Sequence, residues 1–156
     1  QIFFRPIHPT DEPRMRDLLY DLSQETIYYR FMSHHQRFGP RQIHNFVYVD
    51  HRKDVAIVGT MPAAHGDEIV AVGRYYLDEQ SNRAEVAFVI LDEWQNLGVG
   101  TFLFKHLQHI AMASGISGFT AEVLRNNKRM QAIFNNSGLK VKTSIEEGVF
   151  SYIMDF

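Results

Sequence analysis

The chain has 156 residues, of which 45% are hydrophobic and 22% are charged, so it can bury the core of one domain. Its net charge of −2 and the lack of a basic cluster argue against a nucleic acid as partner. No apolar run is long enough to span a bilayer, so we expect no membrane partner. The absence of cysteine excludes disulfides and thiolate chemistry and fits a cytoplasmic protein.

The first half of the chain predicts one strand, three helices and two further strands. Apolar residues recur at helical spacing after Thr10, which is a plausible N-cap, and Ser23 and Pro40 suit the starts of two more helices. The expected elements are a strand at 2–7, helices after Thr10, at 23–31 and from Pro40, and strands at 54–60 and 68–77 around a hairpin loop at 62–67.

In the second half, strands and helices alternate. The expected elements are a strand at 83–91, a helix at 97–114, a strand at 118–124, a helix at 127–136, and strands at 140–142 and 148–155. Gly115 and Gly138 stand where helix C-caps are expected. This order of elements predicts an α/β domain.

A glycine-rich turn, Q-x-x-G-x-G at residues 95–100, joins the strand that includes 86–91 to the helix that includes 101–113. Free backbone N–H groups and the positive end of the helix dipole make such a turn suitable for a phosphate. The spacing is neither the dinucleotide G-x-G-x-x-G nor a Walker loop, and the six residues alone are equally compatible with an ordinary tight turn.

The turn resembles the acetyl-CoA pyrophosphate loop of the GNAT N-acetyltransferases, Q/R-x-x-G-x-G/A. Further segments resemble that superfamily in the right order: A-E-V-A-F-V-I-L at 84–91, T-A-E-V-L at 120–124, N-K-R-M at 127–130 and F-N-N-S-G-L at 134–139. The resemblance implies the GNAT acyl-CoA N-acyltransferase fold, an α/β fold. Its mixed, mostly antiparallel central sheet is flanked by helices and splayed at the fourth and fifth strands.

The start of the chain is similar to bacterial protein-lysine acetyltransferase domains, in F-R-P-I at 4–7, L-S at 22–23 and Y-Y-R-F at 28–31. Such domains often sit at the end of longer chains, fused to CoA-ligase, CoA-transferase or nucleotide-sensing domains. We therefore expect residues 1–156 to be a single GNAT domain and a fragment of a longer protein.

The resemblance also implies which residues bind acetyl-CoA as cosubstrate. The loop would hold the pyrophosphate, and the end of the preceding strand would pair with the pantetheine, where one N–H would face the thioester carbonyl. The implied contacts are Val89, Ile90, Leu91, Gln95, Asn96, Leu97, Gly98, Val99, Gly100, Thr101, Asn127 and Phe134.

Glu85 is the candidate general base. A lysine amine, with a pKa of roughly 10.4, arrives protonated and needs a base. Glu85 matches the glutamate of the A-E-x-A motif, and strand alternation places it on one face with Ala87, Val89 and Leu91. A partly buried carboxylate is therefore expected. The alternative is a strand-edge glutamate paired with Arg83 or Arg74.

Two further positions each allow more than one interpretation. Asn127 matches a family asparagine that contacts cofactor or water, and it is also a strong helix N-cap. Phe134 stands where many relatives carry a tyrosine that protonates the leaving thiolate, which phenylalanine cannot do. Another group or water would then protonate the thiolate, and Phe134 would pack against the pantetheine arm.

The histidines do not predict a metal site. His34, His35, His106 and His109 are the closest groupings, but no H-E-x-x-H occurs and no carboxylate follows at ligand spacing. We expect no metal.

These features predict an acetyl-CoA-dependent N-acetyltransferase that acts on a protein lysine. One alternative is a small-molecule amine as acceptor, since the expected loops at 33–39 and 143–148 carry no readable specificity. A second is a non-catalytic acyl-CoA-sensing module of a fused CoA-handling enzyme.

Overall fold

A computed structural model describes residues 1–32 and 38–156. Within these residues, seven strands form one mixed sheet in the order β1-β2-β3-β4-β5-β7-β6. The strands are β1 (Phe3–Pro6), β2 (Asp54–Ala63), β3 (Gly66–Asp78), β4 (Arg83–Ile90), β5 (Gly118–Leu124), β6 (Lys140–Glu146) and β7 (Val149–Asp155). β4 and β5 run parallel, and the other neighbours run antiparallel.

Helices cover both faces of the sheet. They are α1 (Glu12–Asp21), α2 (Gln24–Phe31), α3 (Pro40–Val47), α4 (Val99–Ala113) and α5 (Lys128–Asn135), with short 3-10 turns at Pro9–Asp11 and Asp92–Trp94. None of the helices in the described ranges is both long and apolar enough to cross a membrane.

The core has two halves, one on each face of the sheet. The half under α1 and α3 includes Met15, Leu18 and Leu19, at the helical spacing that the sequence predicts. The half under α4 and α5 is rich in aromatic rings and includes Phe104 and Phe134. Alternation along the strands sends neighbouring residues into opposite halves, which fixes the register of the sheet.

The first helix starts later than expected, and Thr10 is not its N-cap. Thr10 lies inside the 3-10 turn Pro9–Asp11, and α1 begins at Glu12. The reason is Asp11, which is fully buried and accepts hydrogen bonds from both Arg5 nitrogens at 2.7 Å and from the His8 N–H at 2.8 Å. A buried carboxylate with these donors fixes the chain locally more firmly than a hydroxyl cap does.

Two expected loops are in fact tight hairpins. Strands β2 and β3 pair as far as Ala63 and Gly66, which leaves two residues between them instead of the predicted loop 62–67. The predicted loop 143–148 is mostly strand β6, and only Glu147 and Gly148, with φ of 51° and 78°, form the turn to β7. Positive φ at both central residues is the geometry that two-residue hairpins favour.

Strands β4 and β5 separate soon after they meet. They pair at three positions, from Arg83 with Gly118 to Glu85 with Thr120, and no ladder joins them beyond that point. The predicted splay of the fourth and fifth strands is thereby confirmed. Beyond Glu85, the edge of β4 that faces β5 has no strand partner within the described residues.

Candidate active site

A cavity of about 740 Å³ lies where β4 and β5 part. Residues 95–96 and 98–101, from the turn before α4 and the start of that helix, form one part of its wall. Glu85 and α2 contribute to another part. Its size falls within the range of roughly 300–1,000 Å³ that is typical of ligand sites. The split in the sheet, rather than any single loop, therefore positions the candidate site.

The glycine-rich turn presents free backbone donors to this cavity. Asn96 and Gly98 have φ of 63° and 85°, and no described side chain caps the N-terminus of the 15-residue helix α4. The first N–H groups of a helix have no partner within the helix, and the helix dipole adds positive potential there. Residues 98–101 line the cavity, so this end can hold an anion such as a pyrophosphate.

The two glycines of the turn have different physical roles. At Gly98 a Cβ would meet nothing within 4 Å, so glycine is needed for its positive φ. At Gly100 a Cβ would lie 2.8 Å from Cδ1 of Ile133 and 3.2 Å from Cδ1 of Ile90. Gly100 therefore lets α4 pack closely against neighbouring side chains.

The side chain of Gln95 is occupied by protein groups. Its Nε2 donates to the Ile90 carbonyl at 3.0 Å and to the Thr26 hydroxyl at 3.1 Å, and Arg129 donates to its Oε1. Gln95 therefore joins α2, the end of β4 and α5 around the turn. The free donors of the turn come from its backbone.

Asp92 extends this network. It accepts hydrogen bonds from the Ser23 hydroxyl at 2.6 Å, the Ser23 N–H at 3.1 Å and the Thr26 hydroxyl at 3.0 Å. Burial opposes ionisation of Asp92, but these hydrogen bonds outweigh it and hold its pKa below the ordinary value. The start of α2 is thus fixed to the segment that leads into the glycine-rich turn.

The three predicted residues at the end of β4 do not share one environment. Leu91 donates its N–H to the Val70 carbonyl, so in an antiparallel ladder Leu91 and Val89 turn their backbone groups toward β3. Their side chains are buried in the core under α1 and α3. Ile90 lines the cavity, and its backbone faces the open split, as does that of Phe88.

Glu85 lies where β4 and β5 part and lines the cavity. Its side chain is exposed, so the expected partial burial is not found. It makes no hydrogen bond or ion pair with the described residues. The alternative pairings are not found either, because Arg83 pairs with Asp155 at 2.9 Å and Arg74 donates to the Phe46 carbonyl.

A second carboxylate, Glu122 on β5, lines the same cavity and is also exposed. Its buried neighbours Ala121 and Val123 point to the opposite face, into the core under α4. The alternation of residues 120–124 is the sequence signal for this orientation, because it places Glu122 on the same face as Thr120. No role was predicted for Glu122 from the sequence.

Asn127 and Phe134 both line the cavity, and both have structural roles. Asn127 is the N-cap of α5 and accepts a hydrogen bond from the Met130 N–H at 3.3 Å. Phe134 is 1% exposed and packs in the core with its ring 5.3 Å from that of Tyr152 and 5.7 Å from that of Phe104. Phe134 therefore forms the apolar base of the cavity.

The remaining predicted positions are spread over the turn and beyond it. Asn96, Val99 and Thr101 line the cavity, whereas Leu97 is 66% exposed and is not part of its wall. His34, His35 and most of the expected loop 33–39 lie outside the described residues. Among residues 1–32 and 38–156, no three His, Cys, Asp or Glu side chains converge to hold a metal ion.

Two exposed cations, Lys128 and Arg129, also line the cavity at the start of α5. Together with the uncapped N-terminus of α4, they make this region electropositive. The open edge of β4 offers backbone hydrogen bonds, and Phe134 and Ile133 offer apolar surface. These groups fit a phosphate-bearing thioester with an extended amide arm, which is the chemistry of acetyl-CoA.

Comparisons with known proteins agree with this geometry. The sequence model of the Acetyltransferase (GNAT) family matches residues 16–139. Acetyltransferase Pat of Mycolicibacterium smegmatis is 30% identical over 141 residues, which is 87% of this chain and 40% of that protein. Acetyltransferase PA5475 of Pseudomonas aeruginosa is 25% identical over 114 residues, 73% of this chain and 61% of that protein. The chain thus spans less than two thirds of either relative.

Solved structures share the fold. The GNAT domain of S. lividans PAT has a TM-score of 0.88 at 31% identity, over 99% of this chain and 90% of that one. The cAMP-binding acyltransferase from Mycobacterium smegmatis has a TM-score of 0.65 at 28% identity, over 99% of this chain and 43% of that one. These findings confirm the resemblance that the sequence motifs carried. The chain belongs to the GNAT family of acetyltransferases.

Proposed function

We propose that this domain transfers an acetyl group from acetyl-CoA to an amine, and that the acceptor is the side chain of a protein lysine. The observation that carries the proposal is the cavity in the split sheet, whose wall holds a helix N-terminus that no described side chain caps and the Glu85 carboxylate, which no described residue pairs. The similarity to Acetyltransferase Pat and to the GNAT domain of S. lividans PAT supports it.

The turn before α4 would hold the pyrophosphate through its backbone donors. Lys128 and Arg129 would add positive charge beside it. The open edge of β4 would align the pantetheine arm in the split. When bound there, acetyl-CoA supplies an activated acetyl group as a thioester.

Backbone groups of Phe88 and Ile90 face the split, and an N–H at this edge would stabilise the negative charge that develops on the thioester oxygen. Glu85 would take a proton from the acceptor ammonium, directly or through a water molecule, and leave a neutral amine to attack. Exposure of Glu85 is compatible with this task, because the acceptor has to enter from solvent.

Protonation of the leaving thiolate is assigned to water. Phe134 lines the cavity and has no proton to give. A thiolate is a weak base, with a pKa of about 8.5 for an ordinary thiol, so it needs little help to leave.

The test is release of free CoA thiol in the presence of acetyl-CoA and lysine-containing proteins, with mass spectrometry of the acceptor. Thiol release together with an acetylated lysine is the expected result. Thiol release with free amines only would assign a small-molecule acceptor. Binding of acetyl-CoA without thiol release from any amine would overturn the proposal in favour of a sensing module.

A further inference from the structure

Two arginines near the cavity make no ion pair within the described residues: Arg30 lines the cavity, and Arg74 lines a small void beside it. Arg74 on β3 is 4% exposed, and its Nη2 donates to the Phe46 carbonyl at 3.2 Å. Its Nε is buried and makes no hydrogen bond within the described residues. The centroids of the Phe46 and Tyr76 rings lie 5.4 and 5.3 Å from the guanidinium carbon, so cation–π contacts supply part of the stabilisation that water would give.

Arg30 on α2 is the second of these arginines. Its guanidinium carbon lies 4.7 Å from the centroid of the Phe31 ring, and its buried Nε also makes no hydrogen bond within the described residues. Burial is the main reason why the pKa of Arg30 is below its ordinary value; the charge of Arg74 acts in the same direction, while Tyr76 and Glu85 oppose it.

No described carboxylate is in ion-pair contact with either cation, although the more distant Asp54 acts on Arg74. Within residues 1–32 and 38–156, neither Arg30 nor Arg74 has a carboxylate oxygen within 4 Å. Residues 33–37 have the sequence S-H-H-Q-R and contain no Asp or Glu. Buried charges in folded proteins are normally paired, and a buried polar atom without a partner calls for a specific reason, such as a ligand.

An anion in the main cavity could reach Arg30. Arg30 lines a small void beside Arg74, and it also lines the main cavity together with Glu85 and Ala87. The cavity wall therefore offers an anion-accepting guanidinium and, at Glu85, a carboxylate that no described residue pairs. An acceptor that carries both an amine and a carboxylate would match both charges at once.

We propose that Arg30, with Arg74 behind it, binds a carboxylate of the acceptor while the acceptor amine approaches Glu85. For a protein acceptor, this means an acidic side chain close in sequence or space to the target lysine. The inference rests on the proposed transferase function and adds a substrate preference to it. A bidentate guanidinium–carboxylate contact would orient the acceptor as well as bind it.

The test uses lysine peptides that carry a single Asp at successive positions on either side of the lysine, each matched by a peptide with Asn at the same position. KM and kcat are measured by thiol release at saturating acetyl-CoA. We expect one Asp peptide to have a KM about tenfold below that of its Asn twin. Arg30→Gln should remove this difference in KM between the Asp peptide and its Asn twin.

Two further variants, Arg30→Lys and Arg52→Gln, serve as controls. Arg30→Lys keeps the charge and should retain part of the preference, which separates charge recognition from a folding defect. Arg52 is exposed, and its ion pair within the described residues is with Asp50, so Arg52→Gln should leave the preference intact. If the Asn peptides still release thiol, two results would overturn this inference. They are equal KM values for every Asp and Asn pair, and a preference that survives Arg30→Gln. No thiol release from any peptide or protein would instead overturn the proposed function, and this inference with it.

Discussion

The Gln95 side-chain amide donates a hydrogen bond to the Thr26 hydroxyl at 3.1 Å, across 69 residues of sequence. The same nitrogen donates to the Ile90 carbonyl at 3.0 Å. The glycine-rich turn, the end of β4 and helix α2 therefore share one set of hydrogen bonds. Because α2 also contributes Tyr29 and Arg30 to the cavity wall, the proposed cofactor and acceptor regions would be positioned together.

Thr26→Val tests this connection. Valine has nearly the same shape as threonine but cannot accept from Gln95 or donate to Asp92, so the turn would lose part of its support. We expect the Kd for acetyl-CoA to rise roughly five- to tenfold, as the loss of about one kcal/mol per hydrogen bond implies. Calorimetric titration measures the change.

Thr10→Val is the matched control, because Thr10 is exposed and lies in the turn before α1. It should leave the Kd unchanged. An unchanged Kd in Thr26→Val as well would show that the turn holds its shape without α2.

Glu85→Gln tests the assignment of the general base. The amide keeps the shape of the side chain but cannot take a proton, so kcat/KM should fall by roughly a hundredfold or more. Acetyl-CoA affinity should not change, since Glu85 is not part of the turn that would hold the pyrophosphate.

Glu122→Gln provides the comparison, because Glu122 is an exposed carboxylate in the same cavity. We expect it to keep most of the activity. If Glu122→Gln lost the activity and Glu85→Gln kept it, the base would be Glu122.

Most of the fold followed from patterns along the chain. The alternation in 83–91 predicted the two faces of β4, and the spacing of Met15, Leu18 and Leu19 predicted the buried side of α1. The β2–β3 hairpin was longer than predicted because strand pairing continued through Pro62, which lies opposite Asp67. β1 pairs β2 only between Ile57 and Thr60, so Pro62 blocks no hydrogen bond to β1.

Asp11→Asn is expected to destabilise the fold in a pH-dependent way. Burial opposes ionisation of Asp11, but hydrogen bonds from Arg5 and His8 outweigh it, so its pKa lies below the ordinary value. Such a group stabilises the fold fully above its unfolded-state pKa of about 3.9, and it loses this contribution as the pH falls through its lower native pKa.

We therefore expect Asp11→Asn to lower the free energy of unfolding by about 3 kcal/mol at neutral pH, since it leaves the partly buried Arg5 without its partner. Urea unfolding should show this difference, and it should shrink as the pH falls below about 4. A difference that stayed constant down to pH of about 2 would contradict the ionised pair.

Gly98→Ala and Gly100→Ala should destabilise the protein for different reasons. Alanine at 98 has free space but a φ of 85°, so backbone strain alone should cost roughly 1 kcal/mol. Alanine at 100 meets Cδ1 of Ile133 at 2.8 Å. Ile133→Val, which removes that methyl group, should therefore rescue thermal stability in Gly100→Ala and not in Gly98→Ala.

Less of the candidate site was predictable than of the fold. The motif at 95–100 marked the right turn, but it could not show that protein groups occupy the Gln95 side chain. Arg30 and Glu122 enter the cavity from elements far apart in sequence, so no local pattern links them to Glu85. The register that turns Ile90 toward the split, and Val89 away from it, depends on the pairing with β3.

The most direct test of the account is calorimetric titration of acetyl-CoA, desulfo-CoA and ATP into the wild-type protein and Gly98→Glu. A glutamate at 98 combines the strained φ of 85° with negative charge at the helix N-terminus. The account predicts that both CoA ligands bind the wild type more tightly than ATP, and that Gly98→Glu abolishes this binding in a folded protein. CoA affinity that is absent from the wild type, or unchanged in Gly98→Glu, would contradict it.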